Sequence, residues 1–291
     1  MRKLPLILSA AICVSCGLVA PGTPNVPAPQ STIPVSAASR AYLGFDRNTY
    51  PGDAALKPLR QSFSFTGYWL NTPPGETVNT WKGKREILNS NDFGFLLLFN
   101  GRLYKDLKPL AQAKRIGTRD AAEALASAKR EGFPEGAIIF LDQEQGGHML
   151  PEQRAYLHAW IDGVIAAGFH AGIYCSGIPA TENGEGGVIT AKDIQDGAEG
   201  RKISFFVYND SCPPSPGCIA PANPPPPAQS GVPFAAIWQF AQSPRRPEFT
   251  AACPSHYDAD GNCYAPFFQR SNAVEVDVSS ASSADPSSGR R

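Results

Sequence analysis

The chain has 291 residues, enough for one large domain or two small ones. Lys and Arg together number 26, as do Asp and Glu, so the formal net charge is zero. Nothing in that balance suggests a nucleic-acid partner, which a basic stripe would mark, and the usable signal is local.

Arg2 and Lys3 precede two apolar runs, 4–8 and 10–14. These are too short to span a bilayer as a stable helix, so residues 1–18 read as an export signal peptide. Cys16, between Ser15 and Gly17, sits where a bacterial lipoprotein carries its lipid. Cys13 replaces the leucine usual at such sites, and plain secretion is the alternative. An exported, periplasmic or extracellular monomer is expected, attached to a membrane only through an N-terminal lipid. Residues 19–39 are rich in Pro, Ser, Thr and Ala and read as a flexible tether. Residues 40–279 are then one domain, since a mature part of roughly 250 residues suits a single α/β barrel.

The pattern along that domain is strand, then helix or loop, repeated. Residues 41–46 form a first strand ending in Asp46, and Asp53 caps a short helix over 54–60. A second strand, 62–69, runs into a turn at 71–75, followed by a short helical stretch at 81–88. The third strand, 93–99, is apolar throughout and ends in Asn100. Thr118 caps a helix over 119–131, with Gly132 as its stop. The fourth strand follows. Pro151 opens a helix whose Leu157, Trp160, Ile161, Val164 and Ile165 recur at helical spacing. The fifth strand is 169–175. Thr190 caps a helix reaching residue 199, and 203–208 is the sixth strand, ending in Asn209 and Asp210. A proline-dominated loop covers 211–231, and 234–240 is the seventh strand. A helix-poor insertion, 243–272, leads to the eighth, 273–278, with Asp277 near its end. Residues 280–291 are Ser-rich and expected to be a disordered tail.

Eight strands with helices between most of them predict a single (β/α)8 TIM-type barrel whose last helices are reduced to loops. A doubly wound open sheet is the competitor, but no glycine-rich phosphate loop follows the first strand of this sequence, and no cofactor is expected.

The strongest local signal is the fourth strand, 136–144. Its apolar run ends in Asp142 and Glu144, two residues apart and so on one side of the strand. A barrel places its chemistry at that end of its strands. Asp46, Asp142, Glu144 and Asp277 would meet at one rim, with strand four across the mouth from strands one and eight. Facing carboxylates separated by a sugar are what glycosidic bond hydrolysis needs, and crowding raises at least one pKa to supply the acid. Tyr68, Asn100, Tyr174, Asn209, Trp238 and Gln239, at other strand ends, supply aromatic faces and amides for a sugar.

Export permits disulfides. Cys212 and Cys218 bracket one short loop, Cys253 and Cys263 another, and pairing within each loop leaves Cys175 buried and free. Spacing alone does not prove that connectivity. No His or Cys lies beside them at zinc-ligand spacing, so no metal is expected there.

Gly44-Phe45-Asp46, Phe140-Leu141-Asp142-Gln143-Glu144, Ile237-Trp238-Gln239-Phe240 and Val276-Asp277, in this order, resemble the family 25 glycoside hydrolases, the Chalaropsis-type lysozymes. Gly44 to Gly52, with Tyr50-Pro51, and Gly67-Tyr68-Trp69-Leu70 look closer still to the secreted glycoside-hydrolase-like barrels of unknown function. The resemblance implies hydrolysis of a cell-wall or other glycan, peptidoglycan included. It carries Glu144 over as general acid and Asp46, Asp142 and Asp277 as supporting acids. The proline-rich insertion and the cysteine loops depart from that pattern. The competing readings are a glycan-binding barrel that does not cut, and a divalent-cation site in the same mouth with His148 as an added ligand.

Overall fold

The computed structural model describes residues 40–182, 184–211, 215, 217–247 and 257–290. The signal peptide, the tether, Cys16, Cys212 and Cys253 lie outside the described residues. In chain order the strands are β1 (Tyr42–Asp46), β2 (Phe65–Trp69), β3 (Gly94–Asn100), β4 (Ile138–Asp142), β5 (His170–Ser176), β6 (Ala180–Glu182), β7 (Glu185–Val188), β8 (Ser204–Tyr208), β9 (Ala235–Ala241) and β10 (Asp277–Ala281). The helices are α1 (Leu56–Arg60), α2 (Arg85–Ser90), α3 (Leu110–Arg130), α4 (Pro151–Ala166) and α5 (Thr190–Asp196). Among the described residues no helix is long and apolar enough to cross a membrane.

Eight strands close into a barrel of TIM type in the order β1-β10-β9-β8-β5-β4-β3-β2, while β6 and β7 form a separate hairpin. All barrel neighbours are parallel except β10, which runs antiparallel to both β9 and β1. The sequence places the last strand at 273–278; it is in fact Asp277–Ala281, and it enters the barrel from the mouth. A parallel return needs a crossover, usually a helix, to carry the chain back to the far end. The segment between β9 and β10 has no such helix among its described residues, so the chain re-enters at the end where β9 left. Asp277 therefore reaches the rim as the first residue of a descending strand. It arrives beside Asp46, the last residue of an ascending one.

Helix α3 begins at Leu110, nine residues before its expected start at 119. Thr118, taken as a cap, lies inside it and its hydroxyl donates to the Lys114 carbonyl one turn back. Pro109 precedes the helix, and Ala113, Ile116, Ala121, Ala124 and Ala128 are buried along it. This small-residue face meets α4, whose Tyr156, Leu157, Trp160, Ile161 and Val164 are buried. Inside the barrel the strands alternate in and out. A Cβ on Gly44 would lie 2.1 Å from the Phe65 ring, so the missing side chain on β1 is what lets that ring fill the floor.

The Ser-rich segment expected to be a disordered tail is ordered through residue 290. Beyond β10 it runs beneath the barrel to the gap between the starts of β3 and β4. The Phe95 N–H donates to Asp285 Oδ1 at 2.8 Å and the Leu97 N–H to Ser287 Oγ at 2.9 Å. Ser287 N donates to Phe95 O and Ser287 O accepts from Ile138 N, bridging the two strands. Small polar side chains that look unstructured in sequence serve here as partners for strand ends that cannot pair with each other.

The disulfide pairing also departs from expectation. Cys218 is bonded to Cys263, with Cα atoms 5.3 Å apart, which rules out the within-loop pairing for both. The bond joins the proline-rich insertion to the β9–β10 insertion. Cys175 is buried and free.

Candidate functional site at the barrel mouth

Asp46, Asp142, Glu144 and Asp277 line one cavity of about 130 Å³ at the carboxyl end of the parallel strands. β4 lies four strands from β10 in either direction round the barrel, so Asp142 and Asp277 rise from opposite walls. Asp46 and Asp142 are buried in the mouth, and Asp277 is half-buried there. Glu144, beyond the end of β4, stands more exposed on the rim. Gln143 between them points away and is buried, and its N–H donates to the Tyr174 carbonyl, extending the strand pairing to the acids.

Gln239, Tyr174 and Gln242 hold Asp46 and Asp277 in a network. Tyr174 Oη donates to Gln239 Oε1 at 2.7 Å, and Gln242 Nε2 donates to the same Oε1 at 2.9 Å. With its oxygen occupied, Gln239 presents Nε2 to the carboxylates. It reaches both oxygens of Asp46 at 3.1 Å and Asp277 Oδ2 at 3.4 Å. The other oxygen of Asp277 accepts from the Ser243 N–H at 2.5 Å. Gly67 lies beneath Asp46, where a Cβ would come 2.6 Å from the Asp46 Cβ; any other residue there would push that carboxylate out of place.

Burial raises the proton affinity of every acid in the cluster. It lifts Asp46 to about 7 even against the Gln239 hydrogen bond. Asp142 is pushed well above the carboxylate range by burial first and then by the charges of Glu144 and Asp46. Asp277 is likewise raised by burial and by Asp46. Glu144 is raised by its partly desolvated position, with Asp142 pulling the other way. Crowding therefore favours a proton on the buried member of the Asp142–Glu144 pair more strongly than on Glu144, and the two are best treated as one proton-sharing unit. Asp142 Oδ1 is buried with no hydrogen-bond partner.

Of the six side chains expected to bind a sugar, Tyr174 and Gln239 line the cavity with the acids. Asn100 lines an adjoining cavity, and its amide donates to the Thr72 carbonyl. Asn209 is buried against the 211–231 loop, donating to the Ser230 carbonyl. Tyr68 and Trp238 face away from the mouth. Tyr68 is fully buried against Trp81, Phe95 and Phe133 and donates to Glu131. Trp238 is fully buried against Phe240 and donates to the Asn209 carbonyl. Each is one residue out of phase with the side chain that does face in: Trp69 beside Tyr68, and Gln239 beside Trp238. Trp69, Asn48, Pro74 and Gln242 also line the cavity and were not singled out from the sequence. The two-residue period offered a signal for Trp69, since Gly67 and Trp69 share a face.

His148 sits away from the acid cluster. Its backbone N–H and ring Nδ1 both meet the Glu182 carboxylate of β6, each at 2.7 Å. The same loop is tied by Thr190 and Asp193, which accept from the N–H groups of Gly147 and Met149. Among the described residues no group of three or more His, Cys, Asp or Glu is arranged to hold a metal ion.

Residues 88–208 match the family model described as the Rv2525c-like, glycoside hydrolase-like domain. Among curated proteins no sequence match is found. An uncharacterised protein of B. stearothermophilus shares the fold at a TM-score of 0.50, with 17% identity over 82% of this chain and 94% of that one. The Tat-secreted protein Rv2525c of Mycobacterium tuberculosis, in complex with L-tartrate, gives a TM-score of 0.47 and 14% identity, covering 83% and 95%. The catalytic domain of endolysin ply40, from bacteriophage P40 of Listeria monocytogenes, gives 0.47 and 13%, covering 86% and 97%.

Proposed function

With a glycoside hydrolase-like domain at residues 88–208 as the premise, we propose that this protein hydrolyses glycosidic bonds in a cell-wall or other glycan, peptidoglycan being one such polymer. The observation that carries the proposal is the convergence of Asp46, Asp142, Glu144 and Asp277 on one cavity. Each has a proton affinity raised by burial. In this reading Glu144 is the general acid. It stands on the rim, where a glycosidic oxygen can reach it, and its proton is shared with the buried carboxyl below. Asp142, on the same side of the strand, stabilises positive charge developing at the sugar's reacting carbon. Asp46 and Asp277, held by Gln239, sustain the negative field from the opposite wall. The Trp69 side chain lines the cavity as an apolar wall for a sugar ring.

We also infer export, from the basic-then-apolar residues 1–18. Cell fractionation tests it, and palmitate-analogue labelling that depends on Cys16 separates lipid attachment from plain secretion. The catalytic reading is tested by reducing-end release from peptidoglycan, chitin and neutral glucans, with wild type and Glu144→Gln side by side. The substitution keeps shape and removes the transferable proton, so hydrolysis is expected to fall by about 10²-fold or more while binding survives. Equal cleavage by both proteins would place the chemistry elsewhere. Binding without cleavage by the wild type would make this a glycan-binding barrel.

A further inference from the structure

The central cavity does not stand alone. A second cavity of about 230 Å³ shares Asp46, Asn48 and Asp277 with it and adds Arg47, Glu76 and Glu275. A third, of about 270 Å³, shares Pro74, Asp142 and Glu144 and adds Asn100, Arg102 and Asp106. The three form one groove across the mouth. Seven carboxylates line it against two arginines. Arg102 is engaged by Asp120, with contacts of 2.7 and 3.0 Å, and Arg47 lies in the field of Glu76 and Glu275. In a chain of zero formal net charge, this acidity is concentrated in the groove.

The hydrogen-bonding inventory of the central cavity points the same way. Most of its side-chain amide, indole and phenol donors are already committed to the protein. Gln239 Nε2 is used on Asp46 and Asp277, and Gln242 Nε2 on Tyr174 and Gln239. Tyr174 Oη is used on Gln239, Trp69 Nε1 on the Arg47 carbonyl, and Asn48 Nδ2 on the Pro74 carbonyl. Among the acceptors, Asp46 and Asp277 are held by Gln239 and the Ser243 N–H, and Asp142 is the exception. Asp142 Oδ1 is buried in the wall with no partner, an arrangement that costs free energy unless a ligand supplies the donor. An N-acetylated sugar brings a carbonyl that needs a donor, where Gln239, Gln242 and the Tyr174 phenol are already engaged, and it brings no charge to answer the carboxylates. An ammonium group brings three donors, no acceptor and a positive charge.

We propose that the groove selects a cationic glycan, a polymer of hexosamine whose amines are free, with the ammonium of one unit placed against Asp142 and its neighbours Asp46 and Asp277. The substrate class rests on the glycan reading of the same site, but binding does not require that the bond be cut. Burial favours a proton on the Asp142 carboxyl of the empty site, and that proton passes to solvent as the ammonium takes its place.

The experiment is calorimetric titration of wild type and Glu144→Gln with a glucosamine hexamer and with its fully N-acetylated counterpart, at low and high NaCl. The expected result is at least about tenfold tighter binding of the free-amine oligomer at low salt, the difference shrinking as salt rises. The Glu76→Gln/Glu275→Gln double variant, which lowers the groove charge away from the central cavity, is expected to narrow the difference as well. Equal or tighter binding of the N-acetylated oligomer overturns the proposal, as does binding of neither. Displacement of the hexamer by millimolar Mg²⁺ or Ca²⁺ also overturns it, since the site would then be a metal site. If the free-amine oligomer binds as expected and the wild type cleaves nothing, the hydrolase reading fails and this one stands. If a neutral glucan is cleaved and the hexamer ignored, the reverse holds.

Discussion

Asp46, the last residue of β1, is paired in register with Asp277, the first residue of β10, and one amide nitrogen, Gln239 Nε2, donates to both. The pairing follows from the reversal of a single strand. It sets a buried and a half-buried carboxylate side by side and gives each a stake in the other's charge.

Acid should stabilise this fold. Asp46 titrates near 7 when folded and near the ordinary carboxylate value when unfolded. Between those values the folded state holds more protons, so stability falls as pH rises through the window and levels off above it. Asp142 and Asp277, also raised, act in the same direction. Thermal melts between pH 5 and pH 8 are expected to show a higher Tm at pH 5. Asp46→Asn is expected to gain about 2 kcal/mol at pH 8 and nothing near pH 4. A loss at pH 8 would mean that its charge is compensated by something other than Gln239.

Gln239→Leu removes the donor from Asp46 and Asp277 and leaves Tyr174 without its acceptor. The expected cost is about 1–3 kcal/mol at pH 8, smaller at pH 5 where Asp46 is protonated. Chemical denaturation at both pH values checks this; an equal loss at each would point to packing alone.

The inward and outward aromatics of β2 should separate cleanly. Tyr68→Phe loses the bond to Glu131 and is expected to cost about 1 kcal/mol of stability with glycan affinity unchanged. Trp69→Ala removes an apolar wall of the cavity and is expected to weaken glycan binding by about tenfold. Affinity loss in the Tyr68 variant and none in the Trp69 variant would reverse the assignment of faces.

A non-reduced digest is expected to yield a peptide pair joined through Cys218 and Cys263. The sequence separation of 45 residues makes the loop long, and Cys218→Ser is expected to cost about 2–4 kcal/mol. Recovery of Cys218 linked to Cys212 would refute the pairing.

The acids were legible in the sequence because strand alternation is rigid: Asp142 and Glu144, two apart, had to leave β4 together. The aromatics were harder. Both faces of a barrel strand are buried, one toward the interior and one toward the helices, so hydrophobicity does not reveal phase, and Tyr68 was read for Trp69 and Trp238 was set beside Gln239. Helix α3 starts earlier than the sequence suggests because a threonine directly after Gly117 reads as a cap, whereas burial against α4 carries the helix through it. The β6–β7 hairpin lies in a Gly-rich stretch with no strand pattern, and its Glu182 takes its place from His148. The disulfide depends on the spatial meeting of two insertions, which loop length cannot foretell.

The segment that bridges β3 and β4 from below has a consequence for the order of events in synthesis. Phe95 waits for Asp285, 190 residues later, and β1 waits for β10. Contacts of such separation are slow to form and contribute nothing until the late residues exist. While residues 277–290 are still to be made, the ribosome carries an open sheet with two unpaired edges. Chaperone binding and aggregation therefore compete for this protein before the barrel can shut, and a nonsense change in those last residues should deplete the folded product far more than the small number of lost residues suggests.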